Sequence, residues 1–218
     1  MDGSSHDWFE GRRGQATLMV LIDDATNRTH ARLFETETAA ALTVFGEYVG
    51  YYGWPRSLYV DRASISVSTR DSTVEDSLQV TAPLTQFGRT MGELRVELIL
   101  ANSPQAKGRV ERHHAVFQDR FVRAQWLRKI DTIESANDYL DQEYLDGLNE
   151  QFPVAVSSPT NLHRPLPPGT NLNQVPCYQE PRAVQNDWTV SWCNRILQLA
   201  ETHQKLSLAK KTILVSEL

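Results

Sequence analysis

Thr17 to Asp23 reads TLMVLID, a run whose interior is wholly apolar. A short run of this kind suits a β-strand covered on both faces better than an amphipathic helix. Such a strand needs a layer on each side of its sheet, so the chain is expected to be a layered α/β protein. The neighbouring segments agree. Asp24-Ala25-Thr26-Asn27-Arg28 is turn chemistry, and HARLFE (His30 to Glu35) alternates as a returning strand does, which makes an antiparallel hairpin. Gly11 to Gly14 reads as an earlier turn, closing a first strand within Met1 to Phe9.

Helices and strands then alternate. Thr36 or Thr38 can cap a helix carrying Ala40, Leu42, Val44, Phe45, Tyr48, Val49 and Tyr52, and Gly53-Trp54-Pro55 stops it. SLYV (Ser57 to Val60) is a short strand ending at Asp61, and the Ser/Thr-rich stretch Ser64 to Thr81 reads as an exposed insertion. Leu84 to Leu94 is expected to be helical and VELIL (Val96 to Leu100) a strand. Ala101 to Gly108, with Pro104 and Gly108, reads as a loop before a long helix from Arg109 to about Lys129. Phe117, Phe121 and Trp126 are expected to pack that helix against the core. Asp131 or Thr132 caps a last helix that runs to about Phe152. The order is β-β-β-α-β-α-β-α, a mixed sheet flanked by helices over residues 1–152.

Beyond it the character changes. Seven of the ten prolines fall between Pro153 and Pro181, which reads as a linker, 153–181. Residues 182–218 carry short β-type runs around Trp188, Trp192 and Ile196 and read as a small, incomplete β-barrel-like module. No apolar run approaches the ~20 residues that cross a bilayer, and no leader pattern is visible, so a cytoplasmic setting without membrane contact is expected. Cys177 and Cys193 fit no zinc pattern and read as free thiols. The net charge of -5 is unusual for a nucleic-acid binder, but its distribution is uneven. Residues 105–129 hold seven Lys or Arg against two acids, while 130–150 hold seven acids and neither Lys nor Arg.

Three carboxylates occupy similar places. Asp2 lies in the first strand, Asp61 ends a strand, and Glu111 opens a helix that follows a strand and a loop. Strand ends and helix starts are where functional groups of an α/β sheet converge. Oxygen ligands suit hard divalent cations, and a pair of such ions about 4 Å apart can activate a nucleophile and stabilise a leaving 3′ oxygen. Asp23 and Asp24 are read as turn formers, not ligands.

The segments MDGSSHDWFEGR, LIDDATNR, YGWPRSLYVDR and NSPQAKGRVERHHAVFQDR resemble retroviral-integrase-type (Asp-Asp-Glu) transposases of bacterial insertion sequences. The last, a Ser-Pro-x-x-x-Gly loop leading to Glu111, is the most specific. The resemblance implies a ribonuclease-H-like fold with an appended β-barrel. It also implies Mg²⁺ or Mn²⁺ as two ions on Asp2, Asp61 and Glu111, metal-dependent 3′-end cleavage and strand transfer, and DNA and a homo-oligomer as partners. The 49 residues between Asp61 and Glu111 exceed the usual family spacing, a surplus that the 64–81 insertion accounts for. Helix periodicity puts His114 and Gln118 on the face of Glu111. With Lys107, Arg109 and Arg112 they are the residues expected to meet DNA phosphates. Such transposases carry an N-terminal helix-turn-helix region, and none precedes Asp2 in this chain. Two other readings share the motifs: a catalytically inactive transposase-derived DNA-binding or assembly protein, and a nuclease that cuts without joining.

Overall fold

The computed structural model describes residues 1–36, 40–60, 86–100, 104–156, 158, 160–165, 178–192 and 194–217, without the side chains of 104–107, 178, 179, 204, 216 and 217. Asp61, the 64–81 stretch, Thr38 and both cysteines lie outside these residues.

Asp2–His6 (β1), Ala16–Ile22 (β2) and Thr29–Phe34 (β3) form an antiparallel meander, with Asp2 opposite Val20 and Leu18 opposite Leu33. Ala40–Tyr52 (α1) leads to Ser57–Val60 (β4), and Gln86–Glu93 (α2) to Glu97–Leu100 (β5), which pairs parallel with β4. The Met1 nitrogen donates to the Tyr59 carbonyl at 2.7 Å, so β4 runs beside β1.

β2 has the burial its sequence predicts. Leu18 and Val20 join one core with Trp8, Phe9, Phe117, Phe121 and Leu140, while Met19 and Leu21 join another with Phe45, Tyr48, Leu58 and Met91. Successive side chains of a strand point to opposite faces, so this one strand supplies both layers.

The helical stretch after β5 begins earlier than its sequence suggests. Pro104–Val116 (α3) already includes the segment read as a loop's end. Proline is suited to a first helical position, because its missing N–H is one a helix start leaves unpaired and its φ is preset. Gly108 therefore sits inside a helix, with open space where a Cβ would stand. The helix continues through a π turn, Phe117–Phe121, into Val122–Arg128 (α4), and stops at left-handed Lys129 (φ 57°). Thr132 caps the next helix by accepting from Ser135 N at 3.1 Å. That helix is Ile133–Tyr139 (α5), a second π turn Leu140–Tyr144, and Leu145–Gln151 (α6). The two π turns meet through aromatic rings: Phe121 lies 4.9 Å from Tyr144 and Phe117 5.6 Å from it, between ring centroids. Phe117 and Phe121 are buried as expected, but Trp126, in the last turn of α4 beside buried Gln125, is 59% exposed.

The acidic helix lies against basic partners, Arg128 with Glu143 at 2.6 Å and Arg32 with Asp141 at 3.3 Å. It also closes the free edge of β3. Asn137 accepts from Leu33 N at 2.8 Å and donates to Leu33 O at 3.0 Å. Asn149 does the same at Thr29, at 2.7 and 3.1 Å. The two side-chain amides thus stand in for a neighbouring strand.

Part of the proline-rich stretch is anchored. Trp54 and Arg164 exchange backbone hydrogen bonds at 2.9 and 2.8 Å, and the Arg164 guanidinium donates to the carbonyls of Leu94 and Arg95 at 3.2 and 3.0 Å. The contact relies on Gly53, whose φ is +87° and whose Cβ would stand 2.8 Å from the Arg164 carbonyl oxygen. Farther on, Tyr178–Ala183 (β6) begins within the stretch read as linker. Thr189–Trp192 (β7) pairs with Arg195–Gln198 (β8), and β6 pairs with Thr212–Glu217 (β9). Val184, Val190 and Trp192 are the buried apolar side chains of this part among the described residues.

Candidate active site

Asp2 stands where β1 adjoins both β2 and β4, and its side chain is about a quarter exposed, at 24%. Asp2 and Ser4 share a face of β1, since strand side chains alternate. α3 crosses that face. Its orientation is set below by buried Phe117 and Phe121 and beside them by half-buried Val110. The consequence is a short ladder of contacts: His114 Nε2 lies 3.6 Å from Asp2 Oδ2, and one turn on, Gln118 Nε2 lies 3.5 Å from Ser4 Oγ. Glu111 is three residues before His114 and so shares this face. Its side chain is exposed. Glu111 is the eighth residue of α3, not part of its first turn, so the helix dipole has no special hold on it.

The structure therefore brings together the elements bearing Asp2, Glu111, His114 and Gln118. Asp61 follows directly on Val60 in sequence but lies outside the described residues, as does the Lys107 side chain. Among the described residues no group of three or more His, Cys, Asp or Glu is gathered as a metal site. Neither Asp2 nor Glu111 carries a Lys or Arg ion pair among those residues, whereas Asp24, Asp119 and Glu143 all do.

The basic residues divide. Arg109 is engaged inside the protein, donating to the Asp24 carbonyl at 2.6 Å and lying 3.0 Å from its carboxylate, which ties α3 to the β2–β3 turn. Arg123 pairs with Asp119 at 2.9 Å. Arg112 is exposed and carries no ion pair among the described residues. The β2–β3 turn itself is shaped by Asp23, which accepts from Ala25 N at 3.2 Å and Thr26 Oγ1 at 2.5 Å, in keeping with a turn role. His113, whose Nδ1 lies 3.0 Å from the Arg109 carbonyl, is half-buried, and that burial holds its imidazole below the ordinary histidine pKa.

Sequence reasoning did not find Ser4 as the partner of Gln118, nor that His114 is buried (7% exposed) instead of open to solvent. The Asp2-x-Ser4 alternation was the available signal for the first. For the second there was none, because burial depends on how α3 docks.

A strand-end carboxylate faced by a helix bearing a second carboxylate defines the class: a mixed α/β protein whose first strand and crossing helix bring polar side chains together. Comparison with known proteins narrows it. No family model matches the chain. The inferred transposase y4bF of Sinorhizobium fredii (strain NBRC 101917 / NGR234) is 34% identical over 206 residues, which is 92% of this chain and 43% of that protein. The transposase for insertion sequence IS1202 of Streptococcus pneumoniae is 27% identical over 216 residues, 97% of this chain and 44% of that protein. The chain is thus related by sequence to insertion-sequence transposases and spans less than half the length of these two relatives. Among solved structures, a chain of the simian T-cell lymphotropic virus intasome in complex with PP2A regulatory subunit B56 gamma is similar with a TM-score of 0.46 and 13% identity, over 75% of this chain and 59% of that one.

Proposed function

We propose that this chain is the catalytic segment of an integrase-type transposase that cuts the 3′ ends of a mobile element and joins them to target DNA. The sheet and helices are read as a ribonuclease-H-like core and β6 to β9 as part of an appended barrel. The observation that carries the reading is the docking of α3 on β1, which sets the Glu111 face of the helix along Asp2 in a chain related to transposases.

Asp2, Asp61 and Glu111 are the residues that would hold Mg²⁺ or Mn²⁺. The donor set fits: carboxylate oxygens suit hard cations, and among the described residues Asp2 and Glu111 carry no Lys or Arg ion pair, whereas Asp119 and Glu143 do. The chemistry such ions supply is activation of water or a 3′ hydroxyl and stabilisation of the leaving oxygen. What the chain itself does is position. β1 and α3 fix two carboxylates on rigid elements. Arg112 and Gln118 are exposed, and with Lys107 they are the residues proposed to take phosphate oxygens. A phosphate would have to draw Arg109 away from Asp24. Assembly into an oligomer that brings two element ends together belongs to the same reading.

The test is an end-cleavage and strand-transfer assay on labelled element-end DNA with Mg²⁺ or Mn²⁺. Glu111→Gln should lower product by more than the about 10–100-fold that loss of an outer hydrogen-bond partner costs, with DNA binding retained. Full activity in Glu111→Gln would remove that residue from the site. Cleavage without joining would favour a nuclease, and DNA binding without any product would favour an inactive assembly protein.

A further inference from the structure

We infer that His114 is a positioning residue for Asp2: its Nε2–H would hold Asp2 Oδ2 and leave Oδ1 as the oxygen that would take a cation. This rests on the proposed carboxylate site and deepens it.

Three observations lead here. His114 is 7% exposed, and both its ring nitrogens are buried without a hydrogen-bond partner. A buried, unsatisfied N–H is costly, so a ring kept in this state is explained by a partner close at hand. The nearest acidic group is Asp2, with Oδ2 3.6 Å from Nε2, a few tenths of an ångström beyond a hydrogen bond. Finally, the ring is held by the docking of α3 and not by Asp2: the buried Phe117 and Phe121 below it fix the helix against β2. The histidine is thus a buried ring whose Nε2 lies beside a carboxylate at the end of a strand. Carboxylates that bind metals are commonly oriented by such a donor, which takes one lone pair and fixes the direction of the rest. Gln118 on Ser4, one turn along, braces the same pair of elements. In this arrangement His114 touches no DNA, and its role passes through Asp2.

The experiment follows thermal stabilisation of the whole chain by Mn²⁺ alone, without DNA, in the parent and in His114→Gln and His114→Met. Gln and Met are close in shape and flexible enough to fit the pocket, and only Gln can donate a hydrogen bond. The half-saturating Mn²⁺ concentration should rise about 10–100-fold in His114→Met and return most of the way in His114→Gln, with metal-free melting alike in both. Equal half-saturation in the parent and His114→Met would overturn the inference, as would equal impairment of both variants. If His114→Met does not fold, His114→Gln decides alone: folding with a near-parental Mn²⁺ response supports the role, and folding without one refutes it. Asp2→Asn separates this from the reading beneath it. No Mn²⁺ stabilisation in the parent, or stabilisation that survives Asp2→Asn, would defeat the carboxylate site itself.

Discussion

The amide of Asn137 replaces a missing strand at the edge of β3, and its removal has a calculable cost. In Asn137→Ala, Leu33 N and Leu33 O both lose their partner, bonds of 2.8 and 3.0 Å in the parent. Leu33 is 1% exposed and Asn137 6%, so water has poor access to either group. A buried backbone group left unsatisfied costs about 1–3 kcal/mol. Two such groups therefore cost about 2–6 kcal/mol, a large share of the roughly 5–15 kcal/mol that holds a domain together. With a urea slope of about 1–3 kcal/mol/M, the unfolding midpoint should fall on the order of 1–2 M. Asn149→Ala is the internal comparison. It breaks the same pair of bonds at Thr29, which is as buried as Leu33, but the Asn149 side chain covering them is only half-buried, so its removal lets water in. Its cost should stay near that of two ordinary hydrogen bonds at about 0.5–1.5 kcal/mol each, about 1–3 kcal/mol together. Urea titration followed by far-UV circular dichroism reads both. The reasoning fails if Asn137→Ala costs no more than Asn149→Ala. That would mean the edge of β3 is satisfied some other way.

Gly53→Ala forces a left-handed φ on a residue with a Cβ and drives that atom to 2.8 Å from the Arg164 carbonyl oxygen. A loss of at least about 1–2 kcal/mol is expected, with faster proteolysis near Arg164; unchanged cleavage there would show that the anchor does not depend on the glycine. Phe117→Ala should cost about 3–5 kcal/mol, whereas Trp126→Ala, at 59% exposure, should cost less than about 1 kcal/mol. Equal losses on thermal unfolding would contradict the outward placement of Trp126. Burial, opposed by Arg32 and reinforced by the charge of Glu47, raises the Asp141 carboxyl pKa. A raised acid makes ionisation a burden on the folded state above the ordinary carboxylate range and none below it. Asp141→Asn should thus be no less stable than the parent at pH 7, with any advantage vanishing towards pH 3; a clear loss at pH 7 would show that the Arg32 pair outweighs burial.

Local chemistry is what the sequence by itself determined. TLMVLID is a two-faced buried strand because both parities of residue are apolar, and each parity fills its own core. Asp23 to Arg28 is a turn because short polar side chains bond their own backbone, and Thr132 caps because its hydroxyl reaches Ser135 N. Asp2 and Glu111 were singled out by the motifs around them, and His114 and Gln118 by helical spacing, which put them on the face that meets β1. Other features depend on groups far apart in the chain, and only the tertiary structure decided them. The start of α3 at Pro104 moved Glu111 out of the first turn, since the chain could satisfy a helix through Gly108 as well as a loop. Asn137 meets Leu33 across 104 residues and Arg164 meets Trp54 across 110, pairings that no local pattern announces. The burial of His114 against Asp2 belongs to the same group. It follows from where Phe117 and Phe121 lock the helix onto the sheet, and that contact exists only once both cores have closed.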